Sequence, residues 1–172
     1  MDYFLLKQSG TVSIPKASVS EASDPLAPSV RVMDHVDPLD KFDYISREHL
    51  ISDRLKLLLE LYLPRQAWRA CVFVDSQRKE QKTFWFLPAL PYRPQRVTAA
   101  SNGMPAAVYV KEQDFAKKAP GILRVRSPKG MVYYLLHLSV AESILRRGIC
   151  GLELVRLGAD KMYTGIPVED VW

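Results

Sequence analysis

Four aspartates, Asp34, Asp37, Asp40 and Asp43, recur at every third position of the segment D-H-V-D-P-L-D-K-F-D. Carboxylates gathered this closely can hold a calcium ion, cap neighbouring backbone, or offer negative charge to a basic partner. An EF-hand loop needs a glycine at its sharp turn and a terminal glutamate, and this segment has neither. Pro38 pushes Asp37 out of the helical region, so the four do not share one helix. The segment reads as an exposed loop or irregular strand. It is either a solvated acidic loop, with Asp40 or Asp43 capping something local, or an acidic patch that meets a basic partner.

The other residue types able to do chemistry are scattered. The three histidines are His35, His49 and His137. The Glu48-His49 pair lacks the HExxH spacing of a zinc protease, and His137, between Leu136 and Leu138, reads as a sheet histidine. Cys71 and Cys150 sit in apolar, strand-like contexts and read as two reduced core thiols. Neither has the CxxC or Cys/His spacing of a zinc site. There is no GxSxG nucleophile turn, and neither a Walker A loop nor GxGxxG. No catalytic residue, metal site or cofactor site is expected. Arg65, Arg69, Arg78, Lys79, Lys82, Arg93 and Arg96 fall near Trp68, Trp85 and Tyr92, a mixture that can track a phosphate backbone and stack on bases. No RNP, KH or zinc-finger pattern accompanies them. Edge cations that discourage sheet-to-sheet pairing account for them equally well.

These residues need a frame. A chain of 172 residues with 48% hydrophobic and 25% charged residues suits one globular domain with a single sizeable core. Its apolar runs stop short of the ~18 residues a membrane span requires. Met1–Gly10 lacks the positive region of a secretory signal, so a cytoplasmic location is expected. The net charge of +5 is uneven: residues 1–60 carry ten acidic and seven basic side chains, the remainder nine and seventeen. The basic pI is therefore no simple sign of nucleic-acid affinity.

Along the chain, Tyr3–Lys7 reads as a strand, Gln8–Ser29 as a loop or arm, and Arg31–Met33 as a short strand, within a loop-rich region at about 8–43. Ser46–Leu63 carries leucines at helical spacing, with Ser46 or Ser52 as its cap and Pro64 closing it. Residues 67–87 read as an antiparallel hairpin turning at Ser76–Lys82. Its Trp68, Phe73, Phe84, Trp85 and Phe86 point to both faces, so one face is at most partly buried. Pro88–Pro105 reads as loop, Ala107–Lys111 as a strand, Lys111–Lys118 as a possible helical turn, and Ile122–Arg126 as a strand. Val132–Leu138 is a strand leading into a helix at Ser139–Arg147. Ser139 and Glu142 have capping-box spacing, and Gly148 supplies the left-handed end. Gly151–Leu157 is a further strand. Lys161–Trp172 is a tail whose Ile166, Val168 and Val171 could dock. The fold class is α+β: a mostly antiparallel or mixed sheet with two principal helices packed on it.

The opening Y-F-L-L-K, the stretch I-S-D-R-L-K-L-L-L-E before an aromatic hairpin, and the ending L-S-V-A-E-S-I-L-R-R-G-I-C-G-L-E-L together resemble a family of bacterial immunity proteins. These are small α+β proteins encoded beside polymorphic or secreted toxins, including those of type VI secretion. The ending resembles the family's apolar–Ser–helix–G-I-x-G–hydrophobic–Glu pattern at Ser139, Gly148, Ile149, Gly151, Leu152 and Glu153. The likeness covers about two thirds of the chain. Its basicity, and Val140-Ala141 where charged helix formers are commoner, depart from the family.

The resemblance implies a non-catalytic cytoplasmic protein without cofactor that binds and neutralises a cognate toxin, with neither a membrane nor a nucleic acid as its partner. Nucleases are common among such toxins, and a nuclease cleft is basic. On that basis Asp34, Asp37, Asp40 and Asp43 become the candidate toxin-binding residues. The alternative is a basic nucleic-acid-binding or regulatory protein.

Overall fold

The computed structural model describes residues 3–10, 17–20, 28–33, 38–90, 96–99, 105–109, 121–126, 132–156 and 163–164. The architecture is α+β. The strands are β1 (Tyr3–Gln8), β2 (Ala17–Ser20), β3 (Ser29–Met33), β4 (Tyr44–Ile45), β5 (Leu50–Ser52), β6 (Arg69–Asp75), β7 (Glu80–Phe86), β8 (Arg96–Ala99), β9 (Pro105–Tyr109), β10 (Ile122–Arg126), β11 (Val132–His137), β12 (Leu152–Arg156) and β13 (Tyr163–Thr164). The described helices are α1 (Asp53–Glu60) and α2 (Leu138–Arg146), with a 3-10 turn at Leu39–Lys41. Among the described residues no helix is long and apolar enough to cross a membrane.

The chain forms two compact units. Residues 1–6, 89–142 and 154–172 belong to the first, and 7–88 with 143–153 to the second. Within the first, β11 pairs antiparallel with β1 (Phe4↔Leu136) and with β10 (Arg124↔Tyr134). The four-stranded order is β10-β11-β1-β12. Tyr3, Leu5, Leu123, Val125 and Leu135 alternate inward from these strands to form its core, as the two-residue period of a strand requires. The same unit includes a three-stranded sheet in the order β13-β9-β8.

The second unit is built on a six-stranded sheet in the order β2-β3-β6-β7-β5-β4. The pair β3–β6 is parallel and the other four pairs are antiparallel. The expected hairpin is present, with β6 and β7 paired from Arg69↔Phe86 to Asp75↔Glu80. Asp75 latches its turn: one carboxylate oxygen accepts from the Gln77 and Arg78 amides at 3.0 and 2.9 Å, the other from the Arg78 guanidinium at 2.7 Å. One face of this sheet buries Leu50, Cys71, Phe73 and Phe84 with Leu39, Phe42 and Ile45.

Several boundaries differ from the sequence reading. The helix expected over Ser46–Leu63 is α1, and it begins only at Asp53. Residues 46–49 turn instead, with His49 at φ 54°, a left-handed conformation that stops helix propagation. Leu50–Ser52 then pairs with Phe84–Phe86, so strand pairing overrides the helical spacing of Leu50. Ser52 is the cap, its hydroxyl accepting from the Leu55 amide at 3.3 Å. The other helix begins at Leu138, one residue before the expected cap. His137 Nδ1 accepts from the Ser139 amide at 3.3 Å and pairs with its hydroxyl at 2.9 Å, so the imidazole serves the helix start. Gly148, at φ 58°, ends it as expected.

Two expected loops contain strands. The Gln8–Ser29 arm holds β2, which adds to β3 with Val19 opposite Arg31. Pro88–Pro105 holds β8, which pairs with β9 across an irregularity at Thr98/Ala99. In both, local composition favoured turns while pairing with a neighbour supplied the order. Residues 163–164 of the tail pair with β9. Lys111–Lys118 and the apolar tail residues Ile166, Val168 and Val171 lie outside the described residues.

Candidate functional site

The four aspartates separate. Asp34 and Asp37 lie outside the described residues. Asp40 is exposed on the 3-10 turn. Asp43 is 1% exposed, which corrects its assignment to a partner-binding surface. One carboxylate oxygen accepts from the hydroxyl of Ser52, the residue that caps α1. The other accepts from the Cys150 amide at 2.8 Å and from its thiol at 3.3 Å. The backbone joins in: the Asp43 amide donates to the Cys150 carbonyl at 3.2 Å, and its carbonyl accepts from the Ser52 amide at 3.0 Å. A buried carboxylate is tolerated because donors replace its water. Here they tie residues 42–44, the start of α1 and the turn after α2 into one knot.

Arg54 reinforces the knot. Its guanidinium stands 3.8 Å from Asp43 and donates to the carbonyls of Arg147 and Gly148 at 3.0 and 3.4 Å. Those carbonyls lie just past the C-terminus of α2, where orphan acceptors need partners and positive charge is favoured. Gly151 completes the arrangement at φ 70°. A Cβ there would lie 2.5 Å from the Lys41 carbonyl oxygen and 3.3 Å from the Phe42 Cα. Only glycine allows that approach.

The cysteines are unbridged. Cys71 is buried as expected, but Cys150 is exposed rather than a core thiol. Burial of its sulfur, aided by the adjoining Asp43 carboxylate, still pushes the Cys150 thiol above its usual range. A thiol held protonated in this way is a poor nucleophile. His49 is a turn residue whose Nδ1 meets the Tyr44 hydroxyl at 2.9 Å and whose carbonyl accepts from the Leu87 amide. Among the described residues no His, Cys, Asp and Glu side chains gather as a metal site.

The basic and aromatic residues are also redistributed. Lys82 points inward and donates to the Leu39 and Phe42 carbonyls at 2.7 and 3.4 Å, closing the 3-10 turn. Phe73 and Phe84 pack edge to face in the core. Trp68 and Trp85 are half-exposed, and Lys56 Nζ lies 5.6 and 4.7 Å from their ring centroids. Lys56 is held there by Glu60 at 2.5 Å, and the Trp85 indole donates to Asp53. Arg69 lies over Phe86. Tyr92 and Arg93 are outside the described residues, and Arg96 begins β8.

Sequence reasoning left Cys150 out of any site and did not join it to Asp43, 107 residues away. The one local signal was that Asp43 lies near residues needing a cap. No protein-family model matches the chain, and no curated protein matches it significantly.

Proposed function

We propose that this protein is a cytoplasmic immunity protein that binds a cognate secreted toxin, a nuclease on the grounds given above, and neutralises it by occluding the active site without catalysis of its own. The observation that carries this reading is the knot around Asp43. It shows what the residues of the family-like ending do: Gly148 ends α2, Cys150 feeds Asp43, and Gly151 admits the backbone of residues 41–43. The resemblance therefore rests on positions that determine a fold, and a shared fold-determining ending is what an immunity family with changing toxins would retain.

The polar residues first singled out for chemistry, Asp43, His49, His137 and Lys82, each take part in internal hydrogen bonds. Asp34, Asp37 and Asp40 remain the acidic candidates for a basic nuclease cleft. The test is co-expression with the product of the adjacent reading frame. Growth should be rescued by this protein, and the purified pair should form a stable complex. Converting Asp34, Asp37 and Asp40 to Asn should weaken that complex more than threefold, about 0.65 kcal/mol. Lack of rescue and of complex, with a strongly salt-dependent shift of bulk DNA or RNA, would favour the nucleic-acid-binding alternative.

A further inference from the structure

Lys82 faces the core. The registers Phe73↔Lys82 and Cys71↔Phe84 put it on the same side of the sheet as Phe73 and Phe84, the side that buries Leu39 and Phe42. A core-facing strand position ordinarily takes an apolar side chain, and an ammonium there needs acceptors to replace its water. Lys82 finds them in the main chain. Its Nζ lies 5.4 Å from the Phe84 ring centroid and donates to the Leu39 and Phe42 carbonyls at 2.7 and 3.4 Å.

Those carbonyls belong to the 3-10 turn Leu39–Lys41 and to Phe42, which caps it. A single turn of this kind has poor hydrogen-bond geometry and little stability of its own. Here the Lys41 amide donates to the Pro38 carbonyl at 3.0 Å and the Phe42 amide to the Leu39 carbonyl at 3.3 Å. Leu39 and Phe42 are buried beneath the turn, and Asp40 is left exposed on its outside. The Asp40 carboxylate makes no hydrogen bond or ion pair among the described residues, whereas Asp43 uses both its oxygens internally. We infer that Lys82 is a positioning residue: it holds the turn in one conformation, so that Asp40 is presented already ordered to a basic partner surface.

Folding alone does not call for this lysine. Methionine has a stem of similar length, would pack against Phe73 and Phe84, and would carry no charge out of water. What only the ammonium supplies is a donor for the turn. A contact residue ordered before binding gives up less conformational freedom on association, and that difference appears as affinity. The role rests on the toxin-binding reading, in which Asp40 meets a basic cleft, and adds what orders that contact.

The probe is the purified, catalytically inactivated product of the adjacent reading frame. Lys82→Met should keep the wild-type circular dichroism and urea midpoint and weaken the complex about tenfold or more. Its Lys41 and Phe42 amides should exchange with solvent about tenfold faster or more. Removing a positive charge from this protein favours a basic partner on electrostatic grounds, so a weaker complex reports the lost order of the turn. Asp40→Asn should weaken the wild-type complex but change the Lys82→Met complex by less than about twofold. In the wild type, a reading that needs no variant, the same two amides should already be protected before the probe is added, and unprotected amides would overturn the role. A Lys82→Met complex within about threefold of the wild type, or unaltered exchange, would overturn it too, while the toxin-binding reading stands. A fall in urea midpoint with equal Asp40→Asn factors in both backgrounds would make Lys82 framework only, against the inference. If the wild type does not bind the probe, the toxin-binding reading falls first and this role with it.

Discussion

Around Asp43, three donors converge on a single buried carboxylate, and two backbone hydrogen bonds close round it. Across the face of β3, β6 and β7 that holds Val30 and Val32, by contrast, valines stand part-exposed on a regular ladder. Both regions belong to the same compact unit. The first spends its polar groups on internal geometry, where a lost partner leaves an expensive vacancy. The second leaves apolar surface in water, a cost a protein recovers when something covers it. The distinction runs opposite to a reading in which charged residues work outward and valines only build. At Asp43 the charge holds the fold together.

The comparison breaks most readily at Gly151. Alanine there meets the Lys41 carbonyl oxygen at 2.5 Å and must also hold φ 70°. The obstructing atoms are backbone, so relief requires the 41–43 segment to shift and drags Asp43 with it. Gly151→Ala should lower unfolding free energy by about 3 kcal/mol or more, read from urea midpoints. A loss below about 1 kcal/mol would mean the junction is loose and the contrast with the valine face is overstated.

Asp43→Asn is the next largest. The amide keeps the shape but offers a donor where the Cys150 amide and thiol already donate. A cost of about 2 kcal/mol is expected. A second readout sharpens it. Because burial and then Asp43 raise the Cys150 thiol pKa, removing the carboxylate lowers it and increases the thiolate present at neutral pH. Alkylation of Cys150 should therefore run faster in the variant than in the wild type. An unchanged rate would separate the thiol from the knot.

Much of this frame was legible from local rules. The hairpin of 67–87 follows from alternation around a polar turn, and Gly148 from its place after the last helical turn. What local rules missed was set by pairing. Leu50 fits a helical stripe, yet the strand partner Phe86 takes it. Residues 17–20 and 96–99 lack the apolar content of isolated strands and gain order from β3 and β9. The site was harder still. Spacing made Asp43 the equal of Asp34, Asp37 and Asp40, and only the fold brings Cys150 to it across 107 residues. The valine face was half visible: the sequence shows that the hairpin's rings point both ways, but not which side leaves valines in water.

Ser52→Ala tests the same knot from its other end. The hydroxyl accepts from the Leu55 amide and donates to Asp43, so its loss removes a cap and leaves the carboxylate one donor short. A cost of about 1 to 2 kcal/mol is expected, the upper part of the capping range. In a double-mutant cycle with Asp43→Asn the two costs should not add, because part of each is the same bond.

A smaller effect is expected at Asp75, the latch of the hairpin that bears part of the valine face. Hydrogen bonds from Arg78, first from its amide and then its guanidinium, hold its carboxyl below the ordinary aspartate range. A depressed folded-state value means the ionised form is favoured by folding. The stabilisation is complete above the unfolded range of about pH 4 and is lost as acidification passes through the lower folded value. The wild type's stability advantage over Asp75→Asn should therefore be present at pH 6 and shrink below pH 4. A constant difference across that window would detach the carboxylate charge from the latch.

Val30→Thr should do least to the isolated protein. The residue is 42% exposed, threonine keeps the β-branch and strand preference, and the hydroxyl has water to meet. The change in unfolding free energy should stay within about 0.5 kcal/mol, the usual bound for surface substitutions. A larger loss would mean that Val30 is covered in solution by the protein itself, and the face would then belong with the Asp43 knot as framework. A near-neutral result keeps the two regions distinct, because it shows that folding alone does not account for valine at that position.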